Sequence, residues 1–198
     1  MKNYLYLITI AGCLILGSCS GGEESAPVEK TAAQLTAEGW QAYSGGIYAT
    51  AAAKFSEALT KDPNFVDAYN GLGWARMKLN TLATALSSFS SGLTRDTVNL
   101  EIKAGLAFLY HAQKNYSQSI LLADNVLQAN STWAFSRDAA ITSADLHLLL
   151  AEDYFAQASY AASLQQVQVL DGSFTADIST VAGQEALAKR IEELRGIV

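Results

Sequence analysis

Histidine and acidic side chains are the groups in this chain that could perform catalysis or bind a metal ion. His111 and His147 have no cysteine or second histidine at metal-ligand spacing. The adjacent pairs Glu152-Asp153 and Glu192-Glu193 lie on predicted helices, where neighbouring side chains diverge and cannot share a proton as an acid–base pair does. The sequence has neither a glycine-rich phosphate loop nor a nucleophile elbow. It therefore predicts no enzyme, cofactor or metal site, and a groove or core position for each histidine.

The two cysteines lie in an apolar leader. Lys2 precedes an apolar run from Tyr4 to Leu16, and the small residues Gly17-Ser18 and then Cys19 follow. A basic start, an apolar run and small residues at a cleavage point occur in this order in a secretory signal. The run is shorter than the roughly 20 residues of a membrane-spanning helix. Leu16-Gly17-Ser18-Cys19 also resembles the lipobox of bacterial lipoproteins, whose cysteine becomes the acylated first residue of the mature chain. That resemblance implies a signal peptide over residues 1–18 and a lipid on Cys19. Cys13 fits the pattern with a shorter apolar run, and an ordinary secretory signal is the other alternative.

A lipid anchor would place the protein in the bacterial cell envelope, attached to its membrane through several acyl chains. Ser20 follows Cys19 where an inner-membrane retention signal would have aspartate, which favours the outer membrane and leaves the periplasmic and surface faces both open.

Residues 19–30 are small, polar and acidic, as in a flexible tether. Cleavage leaves 12 basic against 19 acidic side chains, and this balance argues against a nucleic acid partner.

Aromatic residues recur at a fixed interval along the rest of the chain. Trp40, Trp74 and Phe108 are each 34 residues apart, and a second series of Tyr43, Met77 and His111 keeps the same period. Self-similarity at this interval is typical of helix–turn–helix repeats that stack into a solenoid.

Residues at matching positions of each unit identify the kind of repeat. The first unit has Gly39, Tyr48, Ala51, Phe55 and Ala58, and the second has Gly73, Leu82, Ala85, Phe89 and Gly92. The chain resembles the tetratricopeptide repeat family. This resemblance implies an all-α, right-handed α-solenoid of about four helix pairs plus a C-terminal capping helix. The implied domain covers residues 31–198, with repeats at about 32–65, 66–99, 100–133 and 144–173, an insertion at 134–143 and the capping helix at about 182–197.

Small residues and turn residues support helix pairs independently of the family. Two interior glycines, Gly39 and Gly73, indicate close helix packing, with Phe55 and Phe89 filling the space beneath them. We expect the turns within the pairs to use residues that tolerate a left-handed backbone, at Gly45-Gly46, Asn80 and Asn115.

The family resemblance also implies which side chains line the concave surface. The predicted peptide-binding groove contains Trp40, Tyr43, Asp67, Asn70, Trp74, Met77, Lys78, Glu101, Phe108, His111 and Phe155. Exposed aromatic side chains with a methionine suit a protein or peptide partner, and we favour an adaptor or scaffold with an open groove. One alternative is that the 134–143 insertion, with Trp133 and Phe135, or the capping helix fills the groove. Another is a lipoprotein that binds a glycan or small ligand by aromatic stacking.

Overall fold

The computed structural model describes residues 29–196, so Cys19, the leader and most of the tether lie outside the described residues. Within them the chain forms nine α-helices and no strand: α1 (Ala32–Ser44), α2 (Tyr48–Lys61), α3 (Val66–Lys78), α4 (Leu82–Arg95), α5 (Leu100–Ala112), α6 (Tyr116–Ala129), α7 (Ser143–Ala156), α8 (Tyr160–Leu170) and α9 (Val181–Arg195). No helix in this part of the chain is long and apolar enough to span a membrane.

The helices pack as antiparallel pairs in chain order, α1 with α2 through α7 with α8. The odd-numbered helices α1, α3, α5, α7 and α9 also pack side by side, whereas α2, α4, α6 and α8 do not contact one another in residues 29–196. A stack whose members touch along one side and separate along the other must curve. The odd-numbered helices therefore form the concave face, and the architecture confirms the predicted all-α solenoid.

Two phenylalanines fill the space between consecutive pairs. Phe55 of α2 is fully buried between Gly39 of α1 and Gly71 of α3, where a Cβ atom would approach the ring to 2.6 Å and 2.2 Å, respectively. Phe89 of α4 lies between Gly73 and Gly105 in the same way. The predicted close packing at Gly39 and Gly73 is confirmed. Gly71 and Gly105 form a second glycine series with the same spacing, and the sequence analysis missed them.

The turn within each pair contains one residue with a left-handed backbone. These residues are Gly46, Asn80, Lys114 and Ala158, with φ of 74°, 56°, 60° and 57°. The prediction is confirmed at Gly46 and Asn80 but is wrong for Asn115, which has a φ of −87° as the N-cap of α6. The repeat spacing, rather than the residue type, fixes the left-handed position at Lys114.

Helix α9 closes the C-terminal end of the solenoid. Leu187, Ile191 and Leu194 pack on Leu148 and Val167 of the last pair and form a second core. Its outer face carries the expected charged side chains, of which Arg190 pairs with Asp171 at 3.0 Å. The helix thus covers an apolar surface that a further repeat would otherwise bury.

The Phe55 contact provides a test of the packing. We expect Gly71→Ala to destabilise the fold by about 1–2 kcal/mol, because an overpacking cost of up to about 3 kcal/mol against the trapped ring outweighs the roughly 1 kcal/mol that alanine gains in a helix. Urea unfolding followed by circular dichroism measures this change. Gly45→Ala is the matched control, since its Cβ would meet its nearest neighbours at an ordinary 3.5 Å. Equal stability of the two variants would contradict this packing.

Candidate functional site: the concave face

An irregular hairpin covers the N-terminal half of the concave face. It consists of residues 131–142 between α6 and α7, and we call it the insertion hairpin. A hydrogen bond from Phe135 N to Ile141 O, 2.8 Å long, and a single antiparallel bridge between Ala134 and Thr142 close it. At its C-terminal end Thr142 caps α7, because its backbone N donates to Asp145 and its hydroxyl accepts from Ala144 N. The cap fixes where the hairpin ends and the solenoid resumes.

Phe135 is the centre of an aromatic cluster beneath the hairpin. Its ring stacks on Trp74 with centroids 4.3 Å apart, and it meets Trp40 and Tyr43 edge-on at 6.0 Å and 6.2 Å. Trp40, Tyr43 and Trp74 are only 4%, 3% and 2% exposed. The expectation that these three rings line an open groove is wrong, because the chain's own insertion fills that part of the groove. Alanine substitutions at the two tryptophans would therefore report on stability and not on binding.

Polar groove residues hold the hairpin at several points. Asp67 of α3 accepts a hydrogen bond from Trp40 Nε1 at 3.0 Å and lies 3.7 Å from the Arg137 guanidinium. Lys78, at the end of α3, pairs with Asp138 at 3.5 Å. Glu101 of α5 accepts from the backbone N of Ser136 at 3.2 Å.

Asn70 completes this polar set. It is buried and donates from Nδ2 to Glu101 at 2.6 Å. The structure thus brings Asp67, Asn70, Lys78 and Glu101 to one face, where Asp67, Lys78 and Glu101 contact the hairpin.

Burial changes the protonation chemistry of this half of the face. Desolvation raises the pKa of the Asp67 carboxyl group, and the hydrogen bond from Trp40 and the nearby Arg137 charge only partly offset that effect. Desolvation likewise raises the pKa of the Tyr43 hydroxyl, and Asp138 adds to the increase. Tyr43 therefore stays neutral, and the Arg137 cation offsets part of the cost of a negative charge on Asp67.

The middle of the concave face stays open. A cleft of about 250 Å³ lies between the hairpin and helices α3, α5 and α7, lined by Trp74, Met77, Lys78, Phe108, Ile141 and Asp145. Met77 and Phe108 are half-buried. Met77 and Phe108 therefore keep an accessible apolar surface in this cleft.

The C-terminal part of the face carries a chain of charges centred on His111. The imidazole of His111, on α5, lies between the two carboxylates of α7: Nδ1 is 2.6 Å from Asp153 and Nε2 is 3.2 Å from Glu152. Arg195 of α9 reaches Glu152 from the other side at 2.6 Å. Phe155, the last predicted groove residue, lies at the same junction and packs edge-on against Tyr160.

The contacts of His111 define its charge state. A carboxylate can only accept, so Nδ1 donates to Asp153, and the second carboxylate, Glu152, 3.2 Å from Nε2, favours the positively charged imidazolium. The hydrogen bond to Asp153 accordingly raises the His111 pKa, and the nearby charges of Asp153 and Glu152 add to the effect against desolvation and Arg195. The contacts of His111, Asp153, Glu152 and Arg195 form an ion-paired brace between α5, α7 and α9.

Sequence reasoning missed Asp153 because it treated Glu152-Asp153 only as a diverging pair. The side chains do diverge, and they bracket one imidazole instead of sharing a proton. Helical spacing carried the signal, since Asp153 follows Leu146 and Leu149 at intervals that place it on the buried face of α7. No group of three or more His, Cys, Asp or Glu side chains among the described residues is arranged so that it could hold a metal ion.

We expect the ion-paired brace to weaken as the pH rises. The folded-state pKa of His111 is raised, so its stabilisation is complete below the unfolded value of about 6.5 and is lost as the pH passes the folded value. Wild type should exceed His111→Gln in unfolding free energy at pH 6 by about 1.5 kcal/mol, the scale of a hydrogen bond to a charged group, and by clearly less at pH 9.

Urea unfolding at the two pH values measures this difference. His147→Gln is the matched control, because the ring of His147 bonds at 2.8 Å to the neutral amide of Gln166 rather than to carboxylates. A stability difference between wild type and His111→Gln that is equal at pH 6 and pH 9 would contradict the imidazolium assignment.

Comparison with known proteins concerns the fold. No protein-family model and no curated protein sequence matches the chain. Among solved structures it is similar to a tetratricopeptide repeat protein from Parabacteroides merdae, with 17% identity, a TM-score of 0.59 and coverage of 83% of this chain. The match covers 60% of the Parabacteroides chain, so this protein spans less than two thirds of that relative's length.

Two further structures give the same result. A tetratricopeptide repeat protein from Thermus thermophilus has 20% identity and a TM-score of 0.55, with 82% of this chain and 80% of the other covered. Pseudomonas aeruginosa PilF has 17% identity and a TM-score of 0.60, with 80% and 66% covered. Identities this low establish shared architecture alone, and on that basis the chain has the fold of tetratricopeptide repeat proteins.

Proposed function

We propose that this chain is a lipid-anchored scaffold of the bacterial cell envelope that binds a protein or peptide partner through its concave face. The observation that carries the proposal is the open cleft beside the insertion hairpin. Its floor is the apolar surface of Met77 and Phe108, and Lys78 and Asp145 place opposite charges at its rim. An apolar floor with a few polar groups at its edge is the usual anatomy of a contact site for a protein side chain.

The size and chemistry of the cleft favour a peptide side chain. A volume of about 250 Å³ is below the roughly 300–1,000 Å³ of pockets that enclose whole small ligands. Methionine adapts its shape to different apolar groups, which suits a site that receives a partner's aromatic or branched side chain.

The structure gives less support to the alternative that the face binds a glycan by aromatic stacking. Stacking on a sugar ring needs an accessible aromatic face, and Phe135 stacks on Trp74 while Trp40 is buried. Of the two aromatic groove residues that line the cleft, Trp74 is almost fully buried and Phe108 is half-buried.

The membrane attachment rests on the lipobox-like segment ending at Cys19. The folded solenoid begins at Ala32, so the polar segment after Cys19 would act as the tether between an acylated cysteine and the binding face. We place the protein on the outer membrane because no aspartate follows Cys19.

Lipidation can be tested with a matched pair of cysteine variants. Labelled palmitate should be incorporated by wild type and by Cys13→Ser, whereas Cys19→Ser should lose the label and leave the membrane fraction. Several acyl chains make attachment stable, so the expected change is a loss of most membrane-bound protein. Label that persists in Cys19→Ser, or disappears in Cys13→Ser, would refute an anchor at position 19.

Partner binding can be tested by photo-crosslinking in the native envelope. A probe at position 77, on the cleft floor, should capture a defined protein, and Phe108→Ala should reduce that capture by about tenfold, as expected for loss of a buried aromatic contact. A probe at position 121 is the control, since Leu121 is exposed on the outer helix α6. Equal capture at positions 77 and 121, or capture unaffected by Phe108→Ala, would count against binding in the cleft.

A further inference from the structure

The insertion hairpin contacts the concave face through side chains, as a bound peptide would. Among residues 131–142 only Trp133 and Phe135 are buried, and their flanking residues are exposed or half-buried. Three backbone hydrogen bonds, from Phe135 N to Ile141 O, Asp138 N to Phe135 O and Ile141 N to Asp138 O, and one bridge hold the hairpin, so it consists of turns without a strand ladder. The position of the hairpin therefore depends on where its side chains pack.

Those side chains contact helices α1 and α3 of the inner face. Phe135 lies against Trp40 of α1 and Trp74 of α3. Arg137 approaches Asp67 at 3.7 Å, with its guanidinium 4.9 Å from the centre of the Trp40 ring. Asp138 reaches Lys78 at 3.5 Å. The pattern is an aromatic residue followed two positions later by a basic residue and then by an acidic one.

The fit between hairpin and face is incomplete. Four side chains of α1 and α3 on this face keep a buried polar atom without a hydrogen-bond partner among residues 29–196: Thr36 Oγ1, Tyr43 Oη, Asn70 Oδ1 and Trp74 Nε1. Buried polar groups in folded proteins are nearly always paired, so a cluster of unpaired ones on one surface calls for an explanation. The Arg137 and Asp138 ion pairs are also longer than the roughly 2.7–2.9 Å of strong charge-assisted hydrogen bonds.

The repeats do not need the hairpin to complete their own packing. Phe55 and Phe89 fill the spaces between successive pairs, and each is trapped between two glycines of the inner helices. The hairpin belongs to the one segment that interrupts the repeat spacing. It is an addition to the repeat units, and its Trp133 and Phe135 join the main hydrophobic core.

We propose that the insertion hairpin is an internal pseudo-ligand, which occupies the site where a partner peptide binds and displays the partner's recognition pattern. The partner is an extended protein segment with an aromatic residue, then a basic residue two positions later, then an acidic residue. Its aromatic ring replaces Phe135 on Trp74, its cation meets Asp67 and its anion meets Lys78. Its backbone supplies hydrogen-bonding groups to the unpaired polar atoms. This inference rests on the concave face being the partner-binding surface.

The test uses the hairpin as a free peptide. A fluorescently labelled peptide of residues 131–142 is titrated with the full chain, and binding is followed by anisotropy. Phe135→Ala in the protein removes the anchor of the internal copy, so this variant should bind the peptide at least about tenfold more tightly than wild type. The same peptide with alanine in place of Phe135 should bind the variant at least about tenfold more weakly.

Three results would overturn the proposal: a folded Phe135→Ala variant that does not bind the peptide, equal affinity of wild type and variant, or equal affinity of the two peptides.

Arg137→Ala provides a second variant in case the first does not fold, since it loosens the hairpin and leaves the aromatic cluster intact. It should also bind the peptide more tightly than wild type. Peptide binding confined to a stable dimer in light scattering would make the occupant a second copy of the chain, which would also refute a separate partner.

The peptide titration and the envelope crosslinking fail independently. Peptide binding without a captured protein would support the pseudo-ligand and remove the proposed scaffold role. Capture at position 77 without peptide binding would keep the scaffold role and make the hairpin a permanent wall of the cleft.

Discussion

The stacking of Phe135 on Trp74 is the contact on which the character of the concave face depends. It joins a segment outside the repeat pattern to the inner helix α3, and edge contacts to Trp40 and Tyr43 extend the cluster to α1. Without that ring, three large aromatic side chains would face solvent along one surface. Monomeric proteins rarely expose an apolar patch of that kind. The hairpin therefore determines how much of the solenoid's inner surface is accessible.

The inner surface consequently has three zones with different roles. The hairpin covers the zone of α1 and α3, and the cleft at Met77 and Phe108 is open between α3, α5 and α7. The zone of α7 is tied to its neighbours by the charges of His111, Glu152 and Arg195. Helix pairs in a solenoid contact mainly their nearest neighbours. The ion-paired brace at one end and the insertion hairpin at the other therefore restrain the curvature that keeps the cleft open. The accessible width of the middle zone thus depends on contacts at both ends.

Much of the fold could be predicted from the sequence because the repeat spacing is a local property. It located the helix pairs, the close contacts at Gly39 and Gly73, and the turns at Gly46 and Asn80. The groove was harder to predict, because a repeat pattern assigns positions to the inner helices but does not say what covers them. Phe135 comes from an insertion, and its pairing with Trp74 is a tertiary contact without a periodic signal. At Lys114 the repeat spacing predicts a left-handed backbone, whereas the residue type does not.

Amide hydrogen exchange of the wild-type protein tests the central claim most directly, namely that the hairpin is a separable occupant of a preformed face. The amide of Phe135 donates to Ile141 and should open without the helices. We predict that it exchanges through a local opening, with a free energy well below that of amides in the middle of α3 and α5. If Phe135 instead exchanges only at the free energy of global unfolding, together with those helices, the hairpin is an integral part of the core and the account is wrong.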